Sequence, residues 1–183
     1  LGLNLSGRKR AAWMGTFGVS VYSGLGAESL HPISPLTTTL NYGTDGKGAD
    51  NLIVRSGGMR EPAVAGRPVQ LNMNGPEIFT FALRAVPQAV RALLDRAERT
   101  LDDVDLFVFH QANRYMLEHL RDKLQIAPEK FVVAMSHVGN TVSSTIPIAL
   151  KESAGGPAAP CGKLVLLVGF GVGYSWAATL IRL

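Results

Sequence analysis

The sequence predicts an α/β domain built on a mixed sheet, with helices on both of its faces. Three observations carry this. Beyond residue 100, apolar runs and amphipathic stretches follow in the order strand, helix, strand, helix, strand, strand. The run at 106–109 and residues 164–168 of the stretch 163–169 are continuously apolar, which suits strands covered on both faces. The last two strands are joined only by a glycine-dense turn and so form a hairpin that closes the chain.

Taken in order, residues 1–40 carry the least information. Residues 11–22 are weakly apolar, with a short strand expected at 19–22, and Pro32 and Pro35 mark a loop. This segment is expected to pack poorly. Residues 41–60 are turn-rich through Gly43, Asp45, Gly46, Gly48, Gly57 and Gly58, with Leu52, Ile53 and Val54 as a strand among them. A connector over 64–74 holds a short strand at 69–73. Gly75, Pro76 and Glu77 then open a helix, since a first-turn proline loses no hydrogen bond and an acid suits the positive helix end. That helix should run to about Thr100. Ile78, Phe79, Ala82, Val86, Ala89, Val90, Leu93 and Leu94 mark its buried stripe, Arg84, Arg91, Arg96 and Arg99 its wet side, and Pro87 should kink it.

The strand at 106–109 leads directly into His110. Asn113 reads as a helix N-cap, and Met116, Leu117, Leu120 and Leu124 follow at helical spacing. A turn at 127–130 precedes a strand at 131–134. Asn140 and Thr141 should start a helix that reaches Glu152 and bends at Pro147. A Gly/Pro loop over 155–162 then leads to the closing strands at 163–169 and 174–183.

Composition narrows the function classes. Of the 183 residues, 46% are hydrophobic and 17% charged, so the chain is globular and long enough for its own core. No apolar run is long enough to span a bilayer. The net charge of +4 suits an anionic cofactor, an acidic protein or nucleic acid. No basic run is interleaved with aromatics, which argues against nucleic acid. One cysteine, Cys161, excludes an internal disulfide and fits a reducing, cytoplasmic compartment. The four histidines lack metal-ligand spacing, so no metal site is expected. The start lacks the order of a signal peptide and has no initiator Met. The chain is therefore expected to be cut from, or read out of, something longer.

His110 falls at the carboxyl end of a strand, beside a helix N-terminus, where ligands bind in open α/β sheets. A lone histidine there also suits a core residue satisfied by backbone. Two further turns weigh against that alternative. One is His137-Val138-Gly139-Asn140-Thr141, entering a helix, and the other is Gly169-Phe170-Gly171-Val172-Gly173-Tyr174, between two strands.

His110-Gln111-Ala112-Asn113, Gly139-Asn140-Thr141 and Phe170-Gly171-Val172-Gly173-Tyr174-Ser175-Trp176 resemble, in order and spacing, the C-terminal half of the β-ketoacyl-acyl-carrier-protein synthase III family. Asn41-Tyr42-Gly43-Thr44-Asp45-Gly46 and Met73-Asn74-Gly75-Pro76-Glu77-Ile78-Phe79 look like it too. The likeness covers roughly residue 41 to the end, and residues 1–40 remain unassigned. It implies half of a thiolase-like fold and an acyltransferase of fatty acid or polyketide biosynthesis. Such an enzyme condenses an acyl thioester with malonyl-acyl-carrier protein, with loss of carbon dioxide. The implied substrates are acyl-coenzyme A and malonyl-acyl-carrier protein, with no further cofactor. The implied partners are the acyl carrier protein and either the missing N-terminal half or a homodimer partner.

By resemblance, His110 and Asn140 are donors to the enolate, since both can donate hydrogen bonds without a charge to desolvate. The backbone amide of Val172 matches an oxyanion position, where the family usually has glycine. Asn113 and Gly75 match positions near the pantetheine arm. Phe170 matches an aromatic beside the reacting thioester, or is simply core at a strand end. Arg114, Arg121 and Lys123 could meet an acidic carrier protein, or form a solvated helix face. The sequence departs from the family at Tyr115, where an arginine is common. The family's nucleophilic cysteine belongs to the other half. Cys161 has neither a helix N-terminus nor a basic neighbour to lower its pKa, so this chain alone should not form an acyl-enzyme.

Three other readings stand beside this one. A dinucleotide-binding glycine turn at 169–173 fails on length, because too few residues remain for the helix and strand that must follow. An inactive remnant or half-subunit would keep the fold. So would a thioester acyltransferase that does not decarboxylate.

Overall fold

The computed structural model describes residues 37–59, 61–154 and 162–183. The expectations for the strand at 19–22, the poorly packed start, the loop at 155–161 and Cys161 lie outside these residues. A four-stranded sheet in the order β1-β6-β5-β4 forms the centre. Its strands are β1 (Thr37–Thr44), β4 (Leu106–Phe109), β5 (Leu164–Gly171) and β6 (Ser175–Arg182). β4 and β5 run parallel, while β5–β6 and β1–β6 are antiparallel, so the sheet is mixed. Strands β2 (Leu52–Val54) and β3 (Leu71–Met73) pair separately as a small antiparallel ribbon.

Period-two alternation sorts the sheet's side chains onto two faces. Phe107, Phe109, Leu166, Val168, Ala178 and Leu180 face helices α1 (Gly75–Arg96) and α2 (Arg114–Leu124). Val108, Val165, Leu167 and Ile181 face α3 (Thr145–Ala154), through Ala149, Ile146 and Leu150. Both faces are thus covered, as expected for a parallel pair built from unbroken apolar runs. Burying each large side chain here contributes about 1.5–3 kcal/mol.

The helices follow local signals. Asn74 caps α1 by accepting from the Glu77 N–H at 3.4 Å, and Asn113 caps α2 by accepting from the Met116 N–H at 2.8 Å. Met116, Leu117, Leu120 and Leu124 are all buried. The buried stripe of α1 also takes in Phe81 and Ala85, beyond the set expected from the sequence.

Several expectations need correction. Helix α1 ends at Arg96 rather than near Thr100, because Glu98 takes a left-handed φ of 52° that no helix continues. Residues 131–134 do not form a strand. Only Phe131 bridges to Phe107, and the rest is held by a side chain described below. The helix expected from Asn140 starts instead at Thr145, after a 3-10 turn at Val142–Ser144. Pro147 therefore lies in the first turn of α3, where its missing N–H breaks no bond and no bend is required. The start of the turn-rich segment is a strand, β1, whose Asn41 to Thr44 pair with Ala178 to Ser175 of β6.

Candidate active site

The site is built where β4 and β5 end side by side. The His110 N–H donates to the Val168 carbonyl at 2.7 Å, extending the parallel ladder one residue past β4. The Ala112 N–H then donates to the His110 carbonyl at 2.9 Å, a tight turn that delivers the chain to the Asn113 cap. His110 is thereby fixed between a strand end and a helix start. Its ring meets Phe170 of β5 edge-on, with centroids 5.3 Å apart. Burial pushes the imidazole pKa below its ordinary 6.5, so the ring is neutral at pH 7.

Gln111 is a buried polar residue with a structural task. Its carboxamide nitrogen donates to the Phe109 carbonyl at 2.8 Å and to the Val132 carbonyl at 3.2 Å, and its oxygen accepts from the Ala134 N–H at 2.8 Å. One side chain thus replaces the ladder that a strand at 131–134 would have made. It ties the His110 turn to the segment leading to Asn140.

The Asn140 segment meets His110 through Thr145. The Asn140 side-chain oxygen accepts from the Val142 N–H at 2.9 Å. Its two side-chain N–H groups make no hydrogen bond among the described residues, which leaves them free to donate. Val142 sits at φ 57°, a left-handed conformation that costs a β-branched residue on the order of 1–3 kcal/mol. The Thr145 N–H donates to the Val142 carbonyl, and the Thr145 hydroxyl lies 2.6 Å from His110 Nδ1. His110 and Asn140 are therefore linked through Val142 and Thr145, and Phe170 joins them through His110.

Val172 lies past the last ladder pair of the hairpin, Gly171 with Ser175, and its side chain is exposed. Tyr174 anchors this turn. Its backbone exchanges two hydrogen bonds with Asp45, at 2.9 and 2.7 Å, and its hydroxyl accepts from the Asn51 side chain at 2.8 Å. Its ring stacks on Phe81 at 4.0 Å. A Cβ on Gly48 would come within 2.1 Å of that ring, so only glycine fits beneath it.

The remaining sequence-derived residues lie around this centre. Gly75 is the first residue of α1. No hydrogen bond or ring contact among the described residues joins it to His110, although Phe79, one turn on, stacks on Tyr115 of α2 at 5.4 Å. Arg114 pairs with Glu118 at 3.9 Å and Arg121 with Asp122 at 2.7 Å, while Lys123 is exposed. Sequence reasoning missed Gln111 and Thr145. Pro147 was the available signal for Thr145, because proline is favoured in the first turn of a helix and so points to a start near that residue. Among the described residues, no group of three or more His, Cys, Asp or Glu could hold a metal ion. No helix there is long and apolar enough to cross a membrane.

Residues 94–183, which contain the His110, Asn140 and Val172 turns, match the family model of the 3-oxoacyl-[acyl-carrier-protein] synthase III C terminal. The chain belongs to the 3-oxoacyl-[acyl-carrier-protein] synthase III family. It is 38% identical over 163 residues to a β-ketoacyl-[acyl-carrier-protein] synthase III of Symbiobacterium thermophilum, covering 86% of this chain and 49% of that protein. A crystal structure of a 3-oxoacyl-(acyl-carrier-protein) synthase III superposes with a TM-score of 0.78 and 42% identity, over 85% of this chain and 50% of the other. The priming β-ketosynthase of the R1128 polyketide biosynthetic pathway gives a TM-score of 0.71 at 32% identity, over 81% of this chain and 45% of the other. The chain spans about half the length of these synthase III relatives. Its fold is the C-terminal part of their thiolase-like fold, as the sequence led one to expect.

Proposed function

We propose that this chain supplies the enolate-stabilising half of a condensing site. The reaction is decarboxylative Claisen condensation of an acyl thioester with malonyl-acyl-carrier protein. The observation that carries this reading is a neutral, half-buried His110 linked through Thr145 and Val142 to an Asn140 whose amide N–H groups are free. Such a pair can bind the oxyanion that forms as malonyl thioester loses carbon dioxide, without a charged group to desolvate. The Val172 amide would serve the tetrahedral intermediate of acyl transfer. Asn113, Gly75 and Phe170 would line the path of a pantetheine arm. Arg114, Arg121 and Lys123 would meet an acidic carrier protein. Residues 41–183 form the synthase-like unit in this reading. The thiolate nucleophile comes from outside it, and either an N-terminal half or a partner subunit completes the site.

Two measurements test this. Release of carbon dioxide from malonyl thioester should fall about 100- to 1,000-fold in His110→Ala and in Asn140→Ala, the usual size for a lost oxyanion donor. Equal rates in wild type and both variants would sink the reading. Incubation with acyl-coenzyme A followed by intact-mass measurement should show no acyl adduct on this chain alone. An adduct on Cys161 would overturn the external nucleophile.

A further inference from the structure

Asn140 rides on residues 135–144, a stretch without α-helix or strand between the Gln111 tie at Ala134 and the start of α3 at Thr145. Met135 packs on the core at its start. Two backbone bonds shape its turns. The Gly139 N–H donates to the Met135 carbonyl at 2.8 Å, and the Ser144 N–H to the Thr141 carbonyl at 3.2 Å. Both bonds are local. The Thr141 hydroxyl is buried without a hydrogen-bond partner among the described residues, so it adds no tie. Ser136, His137 and Val138 are exposed. Among the described residues, one side chain of this stretch makes a polar contact beyond it: His137 Nε2 lies 2.9 Å from a Glu152 carboxylate oxygen of α3. An ionised carboxylate only accepts, so Nε2 donates whether the ring is neutral or charged.

Glu152 is a firm anchor. Helix α3 packs Ala149, Ile146 and Leu150 onto the sheet, and its first residue, Thr145, touches the His110 ring. Glu152 lies about two turns further along the same helix. One helix therefore meets His110 at its start and the Asn140 stretch near its end. We infer that His137 and Glu152 are positioning residues: their contact clamps the Asn140 turn to α3 and so sets where the Asn140 amide is held relative to His110. The His137 side chain is 64% exposed and that of Glu152 34%, and such a pair contributes little to global stability. The clamp thus acts on the turn and not on the fold. It shifts the turn between held and released states only by its own free energy, a factor of about 2 to 5. This inference rests on the role proposed for Asn140 above, although the clamp itself is independent of that role.

The test uses the whole chain as wild type, His137→Ala, Glu152→Ala, the double variant, and His137→Arg, which keeps an N–H donor beside the carboxylate. The Val142 N–H is the reporter, because it donates to the Asn140 side-chain oxygen. The Ala134 N–H, held by Gln111, is the control. Hydrogen exchange at Val142 should rise about 2- to 5-fold in H137A and in E152A. The double variant should exchange no faster than either single, since the same contact is lost in all three. H137R should return to the wild-type rate, and Ala134 should be unchanged throughout. Unchanged exchange at Val142 in the singles, or a double variant whose increase is the product of the two, overturns the clamp. For decarboxylation of malonyl thioester, kcat should fall by the same factor in H137A and E152A with KM little changed, and H137R should restore it. Faster exchange at Val142 with unchanged release of carbon dioxide would sink the role proposed for Asn140 and leave the clamp standing.

Discussion

Strands β4–β5 and β2–β3 both carry large apolar side chains, and those side chains meet opposite fates. Phe107, Val108, Phe109, Leu166 and Val168 are 0–1% exposed between helices. Val54, Leu71 and Met73 are 48%, 64% and 66% exposed in a ribbon with three paired positions. Asn72 interrupts β3, but Val54, Leu71 and Met73 are as apolar as the buried set, and cover is what separates them. β4–β5 has α1 and α2 on one face and α3 on the other. The ribbon is held by polar ties instead: Asn74 N–H to the Asn51 carbonyl at 2.7 Å, and the Asn51 side chain to the Tyr174 hydroxyl. A two-stranded ribbon is marginal by itself, so it depends on the hairpin it leans on.

That contrast can be broken at its strong end first. Phe109→Ala should cost about 3–5 kcal/mol, read from the urea midpoint, because the ring lies edge-on to Phe131 in the covered face and leaves a cavity. A loss below about 1 kcal/mol would mean that the β4 face is not the seat of stability. Gln111→Leu should follow at about 1–3 kcal/mol, since it strands the Ala134 N–H and the Val132 carbonyl. Tyr174→Phe removes only the bond from Asn51 and should cost about 0.5–1.5 kcal/mol. It should also raise amide exchange in the ribbon more than in β4, and equal effects in both would contradict the proposed dependence. Leu71→Ser, on the uncovered strand, should stay within about 0.5 kcal/mol of wild type.

A pH series sharpens the same comparison. The folded pKa of His110 lies below its unfolded 6.5 because burial disfavours the charged ring. The unfolded chain therefore takes up the proton first. Stability should be full above pH 6.5 and decline as the pH falls from 6.5 through the depressed folded value. His110→Asn should flatten that decline, and an unchanged slope would remove His110 as its source.

Local signals made much of this legible. The β4 run, the Asn113 cap with its helical stripe, the start of α1 and the closing hairpin each lie within a few adjacent turns of sequence. The His110, Asn140 and Phe170 turns were legible as motifs. What escaped depends on distant partners. β1 carries Thr, Asn and Gly, and it is a strand because β6 offers it a ladder. Residues 131–134 look like a strand but hold one bridge, because the sheet's edge is completed there by Gln111. Thr145 reads as an ordinary helical threonine, and nothing within a helical turn of it points to a histidine 35 positions earlier.

The three bonds of Gln111 fix the length of the segment after Phe131, while packing of Val132, Val133, Ala134 and Met135 against the two core clusters keeps it apolar. Val132 and Ala134 are held by backbone atoms, so their side chains can change without touching the tie. Deleting or inserting one residue between them would pull the carbonyl and the N–H out of reach of the same carboxamide. The spacing from Phe131 to Ala134 is therefore a ruler. Variation in this loop should be tolerated as apolar substitutions there and as length changes only further along, toward the exposed stretch at 136–138.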